Sequence, residues 1–189
     1  MKRNLNLARI FTIVLIIFFL SSCNTENILE TTTPSPTPTF TPEELYITSI
    51  TEAIDEYSNW VSGSYADVQN LLDENSSAVS ACLMLAAPNG LSCLELDSIK
   101  DDITPLMVPL QTAFEEAYLL KTQFGGLNPP SEVVVSHQQI LDCLDYEILR
   151  LNFFIEGFSG NLIDIPETSP CQMMDMAINQ IQDYVEDNN

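Results

Sequence analysis

Thr41-Pro42-Glu43-Glu44 opens the stretch TPEELYITSITEAIDEYSNWVSGSYADVQNLL, residues 41–72. A threonine N-cap, a proline at the first helical position and a glutamate at the third make a capping box. Apolar side chains then recur at Ile47, Ile50, Ile54, Tyr57, Val61, Tyr65, Val68 and Leu72, three and four apart. That spacing is the signature of an amphipathic helix with one buried face. The stripe crosses Gly63 in register, so this glycine is expected to bend or weaken one helix without ending it.

The remaining chain repeats the pattern. A short apolar stretch over 78–87 reads as a further helix, closed by the turn signal Pro88-Asn89-Gly90. The next stripe runs Leu96, Ile99, Ile103, Leu106, Leu110, Phe114 and on to Phe124, and stops at Gly125-Gly126. Pro105 and Pro109 inside it predict a kink, or a restart near Thr104. Asn128-Pro129-Pro130-Ser131 start another helix reaching about Phe158, with Val134, His137, Leu141, Leu144, Ile148 and Leu151 on one side. Ser169-Pro170-Cys171-Gln172 read as a second capping box, before a helix carrying Met174, Ile178, Ile181 and Val185. No alternation of period two persists. The expectation is an all-α domain over 43–189: an antiparallel bundle of four long helices, with one short helix besides.

Before this domain, the sequence changes character twice. Residues 1–22 combine a basic start (Lys2, Arg3, Arg9), an apolar run from Ile10 to Leu20, and small residues before a cysteine, as export signals do. The run falls well short of the roughly 20 residues that span a bilayer as a helix. Leu20-Ser21-Ser22-Cys23 resembles the lipobox of bacterial lipoproteins. That resemblance implies cleavage before Cys23, a diacylglycerol thioether on its sulfur and an acylated amine. Two or three acyl chains anchor stably where one is marginal. Residues 23–42 then form a Thr/Pro-rich tether, with prolines at 34, 36, 38 and 42 that favour extended polyproline II. At about 3.1 Å per residue it would reach on the order of 60 Å. The layout as a whole is similar to bacterial lipoproteins that pair such a tether with a small helical domain, and no functional residue is carried over from them. It implies a protein held at the cell membrane or outer membrane through its lipid alone, its domain facing outside the cytoplasm.

Charge excludes other classes. The 189 residues hold 27 Asp and Glu against 6 Lys and Arg, a formal net charge of −21. After Arg9 the basic residues are Lys100, Lys121 and Arg150 alone. Nucleic acid binding needs a basic face to displace counterions, and none is available. The same deficit opposes docking of the domain on anionic lipid. It favours cationic proteins, peptides or envelope components, which a negative field would steer inwards.

Four cysteines remain once Cys23 is set aside. In an exported chain Cys82, Cys93, Cys143 and Cys171 predict two disulfides, with three pairings open. Cys82 and Cys93 bracket the Pro-Asn-Gly turn. The loop 159–168 would carry Cys171 about 21 Å back along the preceding helix, towards Cys143. This geometry favours Cys82–Cys93 with Cys143–Cys171. Thiolate metal binding finds no CxxC spacing.

Chemistry-bearing constellations are few. His137 is the single imidazole, on an apolar stripe; it is either a general base beside a carboxylate or a buried histidine bonded to a neighbouring segment. No GxSxG elbow supports a hydrolase triad. A di-iron bundle would need paired Glu-x-x-His elements, and His137 has no glutamate three residues before it. Met173, Met174 and Met176 near Cys171 suggest soft-metal binding only superficially, because Met174 alone faces the stripe. The acids at 97, 101, 102, 115, 116, 142, 145 and 147 and at the C-terminus match no calcium loop and read as a solvated face. Tyr46, Tyr57, Trp60, Tyr65, Tyr118 and Tyr146 would line a groove or serve as peripheral core.

The sequence therefore implies no cofactor and no metal ligand set, and weighs against an enzyme without deciding the matter. Its leading functional expectation is a lipid-anchored, non-enzymatic surface or envelope binding module. The alternatives are a calcium-dependent module and a hydrolase using His137 with a carboxylate.

Overall fold

A computed structural model of the chain describes residues 40–188. The signal segment 1–22, the lipidation candidate Cys23 and the tether up to residue 39 lie outside the described residues.

The first helix, α1 (Pro42–Trp60), begins as its capping box requires. Thr41 Oγ1 accepts from the Glu44 amide at 3.1 Å, and the Glu44 carboxylate accepts from the Thr41 amide at 2.7 Å. That backbone hydrogen bond holds the Glu44 carboxyl below its ordinary range. At Gly63 the backbone leaves helical geometry, and a single π turn (Val61–Tyr65) carries the chain into α2 (Ala66–Glu74). Ser58 and Ser62 hydroxyls donate to carbonyls one turn back, at Ile54 and Ser58, where such bonds bend helices. The expected bend without an end is what the fold contains.

A short α3 (Ser76–Ala81) follows, with a second π turn at Cys82–Ala86. Gly90, at φ +68°, closes the segment in the left-handed region, which lets Leu91 N–H reach the Ala86 carbonyl. The long helices α4 (Lys100–Gly125) and α5 (Val134–Phe158) come next, then a 3₁₀ turn (Pro170–Met173) leading into α6 (Met174–Asn188). Counting α1–α2 as one bent rod, the described residues form five helical rods and no strand.

Three local expectations change. The third stripe becomes helical only at Lys100, four residues later than its apolar start. That helix is continuous through Pro105 and Pro109, so the chain does not restart near Thr104. Ser169 caps a 3₁₀ turn by accepting from Cys171 N–H, so no capping box with Gln172 forms there.

The core lies between α4 and α5, whose mutual contact is the most extensive of the fold; α6 packs on α5, α1 packs on α4, and α1 and α6 also touch each other. Phe124, Phe158, Ile103, Leu106, Leu110, Ile140, Leu144 and Leu151 are fully buried. Burial of each such side chain contributes about 1.5–3 kcal/mol. Because α5 has helices on two sides, its buried face is wider than one stripe and takes in Ser136, Ile140, Cys143 and Glu147.

Two disulfides close loops on this core. Cys82 pairs with Cys93 (Cα–Cα 5.7 Å), and Cys143 pairs with Cys171 (Cα–Cα 4.7 Å). The second ties the 3₁₀ turn before α6 to the middle of α5. No helix among the described residues is long and apolar enough to cross a membrane.

Candidate functional site

His137 sits in the first turn of α5, 3% exposed, between Phe124 at the end of α4 and Tyr46 on α1. Nε2 lies 3.0 Å from the Phe124 carbonyl oxygen, which can only accept, so Nε2 carries the proton. Nδ1 then accepts from the Tyr46 hydroxyl at 3.3 Å. Burial holds the imidazole below its ordinary pKa, against the opposing pull of the Phe124 carbonyl. Both nitrogens are engaged and neither faces a carboxylate. The neighbouring Ser136 hydroxyl donates to Gln180 Oε1 at 2.5 Å, away from the imidazole. The nucleophile–base–orienter chain that hydrolysis by His137 would need is not assembled here.

A second polar group was hidden in the sequence. Glu147, counted there among solvated acids, is 8% exposed. Its Oε2 accepts from the Tyr65 hydroxyl at 2.5 Å and lies 3.6 Å from Arg150 Nη1. Arg150 Nη2 donates to Gln69 Oε1 at 2.6 Å, and its guanidinium stands 5.7 Å from the centroid of the Tyr65 ring. Burial and the Glu147 carboxylate push the Tyr65 phenol well above its ordinary range, so it stays protonated as a donor. Burial also pushes the Tyr57 phenol up to about 12. The network joins the first π turn, α2 and α5, and has no activated nucleophile.

The surface between α1–α2 and α4 is concave. Trp60, 5% exposed, sends its indole N–H to the Ala113 carbonyl of α4 at 3.1 Å and packs on Tyr65 with ring centroids 4.6 Å apart. On the solvent side of Trp60, two adjoining hollows lie between the bent rod α1–α2 and α4. One, of about 490 Å³, is walled by Asp67, Leu71 and Glu74 on α2 and by Val108, Pro109 and Thr112 on α4. The other, of about 320 Å³, is walled by Glu56 and Trp60 on α1 and by Glu116, Leu119 and Leu120 on α4. Ser64 lines both and donates to the Glu116 carboxylate across the junction. That bond ties the two walls together at the π turn, so the hollows lie end to end as two compartments of one shallow groove. Its lining mixes Trp60, Leu71 and Leu120 with Asn59, Asn70 and Thr112, and its rims are acidic.

The acidic face reads differently once ion pairs are assigned. Lys100 pairs with Asp97, Lys121 with Asp145 and Arg150 with Glu147. Every Lys and Arg among the described residues thus has an acidic partner, and Glu56, Asp67, Glu74 and Glu116 have no basic one. Among the described residues no three His, Cys, Asp or Glu side chains converge as a metal site. Of the methionines, Met174 is buried, whereas Met173 and Met176 are exposed.

Compared with protein-family models, curated proteins and solved structures, the chain matches none of them.

Proposed function

We propose that this protein is a lipid-anchored, extracytoplasmic binding module for cationic partners, with no catalytic activity of its own. Cys23 carries the lipid, residues 24–42 are the stalk, and the helical domain, read as an antiparallel bundle with one added rod, is the scaffold. The observation that supports this most directly is the complete internal neutralisation of Lys100, Lys121 and Arg150. The charge left over is uniformly negative, and such a field raises the encounter rate with cations and repels anions. The His137 and Tyr65–Glu147 clusters serve the fold, since their polar atoms are bonded inward.

The test has two arms. The full chain, produced with its own N-terminus in a bacterial host, is fractionated, and the mass of its N-terminal peptide is measured. A diacylglyceryl mass on Cys23, with loss of membrane association in Cys23→Ala, is the expected result; an unmodified cysteine overturns the anchor. The second arm titrates the full chain, in detergent, with decalysine and with decaglutamate. Binding of decalysine alone, weakened by salt, supports the reading. No binding at low salt overturns it.

A further inference from the structure

Resting on that reading, we infer that the groove between α1–α2 and α4 is the docking site, and that its occupant is a basic amphipathic helix. Three observations carry this. The groove follows α4 from Val108 to Leu120, about 18 Å at 1.5 Å per residue. That length matches about three turns of a partner helix, lying as a third rod against two existing ones. Its α4 wall shows two of the most exposed large apolar side chains of the domain, Val108 (71%) and Leu119 (67%), eleven positions apart on one helix. Helical spacing places them on one face with Thr112 and Glu116 between them. Its rims carry Glu56 and Glu116 at one end and Asp67 and Glu74 at the other, none of them in an ion pair.

The exposed Val108 and Leu119 between acidic rims are complementary to an apolar ridge flanked by Lys or Arg. The same charge argument rejects two other occupants. A second copy of the chain would bring its own net charge of −21 against the acidic rims. The chain's own tether, residues 23–39, holds Glu26 and Glu30 and no Lys or Arg. The occupant is therefore a foreign basic segment. The apolar ridge distinguishes it from a simple polycation.

The groove also contains its own reporter. Trp60 is the single tryptophan of the chain and lines the groove, so its emission reads occupation at this place. The experiment titrates the full chain, in detergent, with a fluorescein-labelled helical peptide of Leu and Lys, about 18 residues long, and with decalysine. Val108→Ser and Leu119→Ser alter exposed positions and leave the core intact; Val135→Ser, equally exposed on α5, is the control.

The expected result is amphipathic binding at least roughly tenfold tighter than decalysine, with a saturable change in Trp60 emission. Each groove substitution should weaken binding by about tenfold, as loss of an apolar anchor does, and Val135→Ser should not. Equal binding of both peptides, indifferent to the substitutions and silent at Trp60, overturns the groove and leaves the general attraction for cations standing. Failure of both peptides to bind at low salt overturns the functional reading on which the groove rests.

Discussion

The hydroxyl of Tyr46 lies 3.3 Å from Nδ1 of His137, across 91 residues of sequence, and completes the hydrogen bonding of a buried imidazole. Replacing Tyr46 by Phe keeps the ring and removes the donor, leaving Nδ1 unpaired inside the protein. The cost of an orphaned buried acceptor is about 1–3 kcal/mol. Urea denaturation of Tyr46→Phe should show a lowered midpoint with unchanged slope; an unchanged midpoint would mean that the pair contributes nothing.

The same imidazole makes stability depend on pH. An unfolded histidine takes up its proton near pH 6.5, and burial lowers the folded value. Protons therefore favour the unfolded chain. The contribution of His137 is fully present above pH 6.5, declines as the pH falls through that value, and levels off below the folded pKa. Denaturation curves measured from pH 7.5 down to about pH 5.5 should show this loss. In His137→Gln the slope across that interval should flatten, and a persisting slope would assign it to other groups.

Glu147 offers a test of the buried network. Glu147→Ala leaves the Tyr65 hydroxyl without its acceptor and the Arg150 guanidinium, still bonded to Gln69, without its carboxylate, and should cost about 3 kcal/mol. Tyr65→Phe should cost less, and the double variant should be more stable than the sum of the two losses implies, by about 1 kcal/mol. Simple additivity in the cycle would show that the 2.5 Å contact carries no coupling.

Gly160 is predicted to resist substitution. Its φ of +91° is open to glycine, and a Cβ there would meet the Leu91 carbonyl carbon at 3.0 Å and oxygen at 3.1 Å. Gly160→Ala should destabilise by about 1–3 kcal/mol, seen as a lower Tm. Gly63→Ala tests backbone alone, since a Cβ there would meet nothing within 4 Å.

The helical class and the bend at Gly63 were legible because they depend on spacing within a single helix. Where α4 becomes helical was not legible, because an apolar stripe also continues through the turns before Lys100. The role of Glu147 was only partly readable. It falls four residues after Cys143 and four before Leu151, on the same face, but a glutamate in a strongly acidic chain gives no sign that its carboxylate is buried. The groove was illegible for a stronger reason. Its walls, such as Asp67 with Val108 or Glu56 with Leu119, come from helices far apart in sequence, and nothing local registers how two rods align. Trp60 beside rather than on its stripe was the one local sign, and its place is at the groove floor.

The internal pairing of the few basic residues has a further consequence, for resistance to proteolysis. Proteases of trypsin type need an accessible bond after Lys or Arg. Between Arg9 and Lys100 the sequence contains no Lys or Arg, and so no such bond. Lys100, Lys121 and Arg150 all lie within helices, with side chains held by carboxylates, where the extended conformation that a protease cleaves cannot form without local unfolding. Sparse basic residues, each placed in a helix, thus leave trypsin-type proteases few bonds to cut in this domain.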